Sequence, residues 1–97
     1  MTKVLAKNGN GRYYIKADGH ATGSPIVCAA ISGIIYALAG YLGNSESIRC
    51  EEIKLSDGSA ELEFYGGDDA EAVYMMTVIG LMQIEEQHPE YIEVLEK

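Results

Sequence analysis

Between Asp18 and Glu46 the chain carries no Asp, Glu, Lys or Arg at all. From Gly19 to Ser45 the only ionisable side chains are His20, Cys28, Tyr36 and Tyr41. A segment this apolar has two destinations, the interior of a folded domain or a lipid bilayer. Ser32, Gly33 and Gly40 interrupt its hydrophobic run, and no cluster of Lys or Arg flanks its end near Leu42, so the bilayer reading loses its usual anchors. A buried central helix is therefore expected. In a chain of 97 residues that helix must serve the core of a single domain, because so short a chain buries only roughly two thirds of its unfolded surface.

The limits of this helix are written in the sequence. Ser24 offers a hydroxyl to an unpaired first-turn amide, and Pro25 at the next position loses nothing by lacking its own N–H. Gly43 and Asn44 supply a stop after about Leu42. Ala30, Gly33, Ala37 and Gly40 recur at helical spacing and form a stripe of small residues. Such a stripe lets another helix backbone approach closely, either the second helix of this chain or the same helix of a partner subunit.

Around the helix lie alternating patterns with turns between them. Val4-Leu5-Ala6, then Asn8-Gly9-Asn10-Gly11, then Arg12 to Ala17 read as a β-hairpin, since Asn-Gly supplies the positive φ angles of a tight turn. A second hairpin is expected from Ile48–Leu55 and Ala60–Tyr65 across Ser56-Asp57-Gly58. By parity Ile48 and Cys50 share one face while Ile53 and Leu55 share the other, a conflict that a bulge near Glu51-Glu52 removes. Gly66-Gly67 closes this part, and Asp68 with Glu71 has the spacing of a capping box that opens a second helix. That helix ends before His88-Pro89. The tail, with Ile92 and Val94 flanking Glu93, is expected to add a short extended segment. The order ββαββα implies an α+β fold in one domain, a mostly antiparallel sheet with a central buried helix and a second packed helix.

Charge narrows the partners. The net formal charge is −8, and of the 15 carboxylates only Asp18 precedes Glu46. Nucleic-acid phosphate would be repelled by this surface; a basic protein or peptide suits it better. The start of the chain, Met1 to Lys7, has no long apolar core like that of a secretory signal, so a cytoplasmic setting with reduced Cys28 and Cys50 is expected. A zinc site from Cys28, Cys50, His20 and His88 lacks the short paired spacing such sites use. No phosphate-binding glycine loop is present. Neither a metal nor a cofactor is expected.

Chemistry points to Cys28. It falls in or just past the first turn of the central helix, where unpaired amides and the helix dipole favour negative charge. His20, on Gly19-His20-Ala21, is the histidine near it in sequence, at the mouth of the loop leading to the helix start. Gly19 gives that loop conformations closed to other residues. First-turn amides could hold an oxyanion. Asp18 is the nearest carboxylate along the chain that could orient His20. Cys50, within a strand, reads as structural, and His88 as punctuation at a helix end.

Taken together, Gly19-His20-Ala21, Ile26-Val27-Cys28-Ala29-Ala30-Ile31-Ser32, Gly80-Leu81 and Ile84 to Tyr91 with Pro89-Glu90-Tyr91 resemble the ribosomal-processing cysteine protease family, Prp. The resemblance spans essentially the whole chain, so residues 1–97 read as one Prp-like domain. It implies a homodimeric cytoplasmic cysteine protease without cofactor that removes the N-terminal extension of ribosomal protein L27, with Cys28 as nucleophile and His20 as general base. Gly19 and Ser32 match family positions, and Ser32, four residues after Cys28, would share its helix face in a supporting role. This chain departs from the pattern by a shorter loop between the two motifs and by Ser24-Pro25 where the family has an Asp shortly before Val-Cys. That departure leaves a protease with another protein target, or a non-catalytic peptide-binding homodimer, as the alternatives.

Overall fold

A computed structural model describes all residues from Met1 to Lys97. The order is β1 (Thr2–Gly9), β2 (Arg12–Asp18), α1 (Pro25–Asn44), β3 (Arg49–Ser56), β4 (Ser59–Tyr65), α2 (Asp68–Gln87) and β5 (Ile92–Glu96). The expected ββαββα order is present, and the expected extended tail is a fifth strand.

Both hairpins form for the local reasons given by their turns. Asn10 and Gly11 both have positive φ, 55° and 76°, the pairing that matches strand twist in a two-residue hairpin loop. In the β3–β4 turn only Gly58 has positive φ, 75°, a conformation glycine takes without strain. The strands form one sheet in the order β3-β4-β2-β1-β5. All pairings are antiparallel except β1 with β5, which run parallel with Thr2 opposite Ile92. The register between β3 and β4 slips between Cys50 and Glu52. That bulge places Cys50, Ile53 and Leu55 opposite Phe64, Leu62 and Ala60, which resolves the parity conflict in the sequence.

Register and burial agree on which face of the sheet is covered. Val4 and Ala6, Tyr13, Ile15 and Ala17, and Ala60, Leu62 and Phe64 are buried and lie side by side across β1, β2 and β4. On this face sit α1, through Val27, Ile31, Ile35, Leu38 and Leu42, and α2, through Ala70, Tyr74, Thr77, Val78 and Leu81. The result is a two-layer arrangement around one core. The opposite face carries Arg12, Tyr14, Glu61 and Glu63 in ion pairs and hydrogen bonds, Arg12 to Glu63 and Tyr14 to Glu61.

Helix α1 is long and apolar enough to cross a membrane by composition, with a mean hydropathy of 1.9, yet one side of it is seated on the sheet. Its other side is open. Ile26 is 83% exposed and Tyr36 59%, and the small-residue stripe of Ala30, Gly33, Ala37 and Gly40 is exposed throughout. The second helix therefore does not cover that stripe. It meets α1 elsewhere, where a Cβ on Gly80 would come 3.2 Å from the Ile34 Cδ1.

Two helix ends differ from expectation. Helix α1 runs on to Asn44, whose side-chain amide donates to the Gly40 carbonyl at 2.8 Å and so satisfies one of the last free acceptors. Helix α2 has no capping box. Gly67 is its N-cap and no side chain caps it; Asp68, Asp69 and Glu71 lie within the first turn instead, where their charge favours the dipole. The Asp69 carboxylate accepts from the Ala70 N–H at 2.8 Å.

Candidate active site

At the end of the sheet where β2 leaves for α1, the start of the helix faces the β3–β4 turn across a cavity of about 150 Å³. Gly19, His20, Cys28 and Ser32 all line it. Residues the sequence separates by a loop thus share one cavity.

Cys28 is delivered by the helix start. The Ser24 hydroxyl accepts from the Val27 N–H at 3.2 Å and the Ser24 carbonyl accepts from the Cys28 N–H at 3.1 Å. With Pro25 lacking a donor, the Ile26 N–H is the first-turn amide left without a partner. The expected group of oxyanion-holding amides is thereby reduced: the Ser24 cap takes the Val27 N–H, and the Cys28 N–H makes the first helical bond. Cys28 itself is half-buried and free. Ser32, one turn on, is likewise half-buried on the same wall. Ile31, Ile35 and Ala60 form the apolar floor, and Tyr36 and Leu55 flank the opening.

His20 is held from behind. Gly19 has φ 93°, a conformation that side chains other than glycine rarely adopt. Its N–H donates to the Gly58 carbonyl at 2.8 Å, and its carbonyl accepts from the Thr2 hydroxyl at 3.2 Å. These two bonds tie the end of β2 to both the β3–β4 turn and the first residues of the chain. The imidazole that follows lies over Gly58 and is half-exposed, with Nε2 3.7 Å from the Asp57 carboxylate.

Asp18 is not the carboxylate beside His20. It accepts from the Ser59 hydroxyl at 3.0 Å and lies 3.6 Å from the Lys16 ammonium, so both its neighbours belong to the sheet. The carboxylate that faces the imidazole is Asp57, which sequence reading takes only as part of a turn. Sequence distance hid it, because the pairing of β2 with β4 is what brings residues 57 and 58 to His20.

The remaining thiol and imidazole lie outside the cavity. Cys50 sits on the edge strand with its thiol directed at the Glu52 carbonyl, 3.9 Å away. Although the residue is exposed, partial desolvation of its sulfur, with Glu51 nearby, pushes the thiol up from its ordinary range. His88 caps the end of α2, donating its backbone N–H to the Ile84 carbonyl at 2.8 Å. No three His, Cys, Asp or Glu side chains gather as metal ligands would.

The profile of a protein family described as cysteine protease Prp matches residues 1–93. This chain belongs to that family. As a Prp-family member it is a cysteine protease. The fold agrees: the essential ribosomal processing protease Prp of Staphylococcus aureus, solved with a covalently linked product peptide, superimposes with a TM-score of 0.80 at 25% identity, each chain covered in full at 100%. The same Staphylococcus aureus protease with a substrate peptide gives a TM-score of 0.78 at 24% identity, again with 100% of both chains. A Streptococcus mutans protein has the same fold, with a TM-score of 0.75 at 18% identity over 99% of this chain and 93% of that one. A search of curated proteins gives no match.

Proposed function

We propose that Cys28 and His20 carry the proteolytic chemistry of this chain, and that its substrate is the N-terminal extension of ribosomal protein L27 or a similar basic peptide. The observation that carries this reading is that both side chains line one cavity at the start of α1. In the reaction His20 takes the proton of the Cys28 thiol, and the thiolate attacks the scissile carbonyl carbon. The carbonyl electrons move onto oxygen, for which the unpartnered Ile26 amide is the first-turn donor still free. Collapse of the tetrahedral species breaks the C–N bond, and the leaving amine takes the proton from His20. The thioester left on Cys28 is then hydrolysed by a water that gives its proton to His20, which returns it to sulfur. Ser32 supports the thiol from the next turn of the same helix face.

A covalently linked product peptide in the Staphylococcus aureus protease supports a covalent step here. The acidic surface from Glu46 onward supports a basic substrate drawn in by charge. The free thiols of Cys28 and Cys50 suit a cytoplasmic enzyme. A homodimer is supported by the apolar side chains left open on both helices, among them Tyr36, Tyr41, Met76 and Ile79, because a monomer seldom leaves so large a patch uncovered. The small-residue stripe on α1 would give a partner helix close approach.

The test is incubation of the protein with the ribosomal protein L27 precursor beside a Cys28→Ala variant. Cleavage by the first and none by the second is expected. Cleavage by both removes Cys28 from the mechanism, and cleavage by neither refutes ribosomal protein L27 as the substrate.

A further inference from the structure

We propose that the β3–β4 turn, through Asp57 and Gly58, is a positioning element for His20, selecting which imidazole nitrogen stays free to work on Cys28. The inference rests on His20 being the base. A half-exposed ring on a loop is not fixed by packing alone, and three contacts from one turn supply what packing does not. The Gly19 N–H to Gly58 carbonyl bond, 2.8 Å long, locks the backbone before His20 to the turn. The absence of a side chain on Gly58 makes a flat seat for the ring: a Cβ there would lie 2.6 Å from Nε2, 3.1 Å from Cδ2 and 3.2 Å from Cε1. No imidazole could occupy its present place above any other residue.

The third contact is chemical. The Asp57 carboxylate lies 3.7 Å from Nε2, a separation for charge attraction rather than a hydrogen bond. Its negative charge, nearest Nε2, favours the tautomer with the proton there over the one with the proton on Nδ1. The other charged or ionisable groups near the ring do not compete for Nε2. Cys28 lines the same cavity from α1, and Asp18 is engaged by Ser59 and Lys16. The turn thereby does for His20 what the third member of a nucleophile–base–orienter group does elsewhere. It does so from an exposed position, and its effect is correspondingly modest.

The test pairs kinetics with a tautomer readout. Asp57→Asn should lower kcat roughly two- to fivefold with KM unchanged, the scale of an exposed ion pair, and Asp57→Glu should restore most of it. Gly58→Asn keeps a residue that tolerates the positive φ of the turn but adds the Cβ that displaces the ring; kcat should fall by roughly a hundredfold while circular dichroism and the melting transition stay near those of the parent. In a Cys28→Ala background, where activity plays no part, the ¹⁵N spectrum of His20 should show the Nε2–H tautomer, and Asp57→Asn should mix the two forms. Unchanged kcat and an unchanged ¹⁵N spectrum in Asp57→Asn and Gly58→Asn overturn the proposal. If His20→Ala retains full activity, the base assignment fails instead, and the ¹⁵N spectra still report whether the turn orients the ring.

Discussion

Replacing Gly19 with Ala should destabilise the whole fold, and the size of the loss follows from two terms. The residue sits at φ 93°, where an L side chain costs about 1–2 kcal/mol through contact with its own backbone. The added methyl carbon would also lie 2.4 Å from the Met1 carbonyl oxygen, a backbone atom of the residue that leads into β1. Relief requires the first strand or the end of β2 to move, and forced overpacking of this kind costs about 1–3 kcal/mol. Together the loss is about 2–5 kcal/mol, against a total of about 5–15 kcal/mol for a domain of this length. Urea unfolding followed by circular dichroism reads it directly. With a slope near 1.5 kcal/mol/M the midpoint should fall by roughly 1–3 M. Gly9→Ala is the control, since a Cβ there meets nothing within 4 Å and no positive φ is involved. A Gly19→Ala midpoint within about 0.3 M of the parent would refute the argument.

Two further outcomes can be checked cheaply. Iodoacetamide at about pH 6.5 should label Cys28 much faster than Cys50: desolvation and Glu51 hold the Cys50 thiol above its ordinary range, so its thiolate fraction, and with it its labelling rate, rises only at more alkaline pH. Equal, slow labelling of both would count against an activated Cys28. Ala37→Glu places a charge in the exposed small-residue stripe of α1, and should turn the proposed dimer into monomer in sedimentation with the far-ultraviolet spectrum retained; a dimer that survives the change does not use that stripe.

Much of this fold could be read from residue patterns because local chemistry decides it. Asn10-Gly11 and Gly58 force hairpins whatever surrounds them, Ser24-Pro25 starts a helix, and the parity of Ile48, Cys50, Ile53 and Leu55 has no solution without a bulge. The features that escaped the sequence are those settled by neighbours distant along the chain. The parallel pairing of β5 with β1 joins Thr2 to Ile92, and no local pattern announces a partner so far away. Asp68 and Glu71 have capping-box spacing, yet Gly67 takes the cap position and moves both acids one step into the helix. At the site, Gly19, His20, Cys28 and Ser32 were legible as types of residue in a suggestive order. Asp57 and Gly58 were not, since their closeness to His20 depends on the register of β2 with β4. The oxyanion donors were overcounted for a related reason: Ser24, read as a helix start, takes the Val27 N–H with its hydroxyl and the Cys28 N–H with its carbonyl.

The position of β1, flanked by β2 on one side and β5 on the other, makes its pairing depend on the strand most distant from it along the sequence. Thr2 donates its amide to the Tyr91 carbonyl and Lys97 donates to Ala6, so the edge of β1 stays bare until β5 docks. Such long-range closure slows folding. A nascent or clipped chain ending before Ile92 would present that edge, with its unsatisfied amides and carbonyls, to any other strand in the cell. The five-residue strand β5 thus seals that edge of β1 against pairing with a strand of another chain.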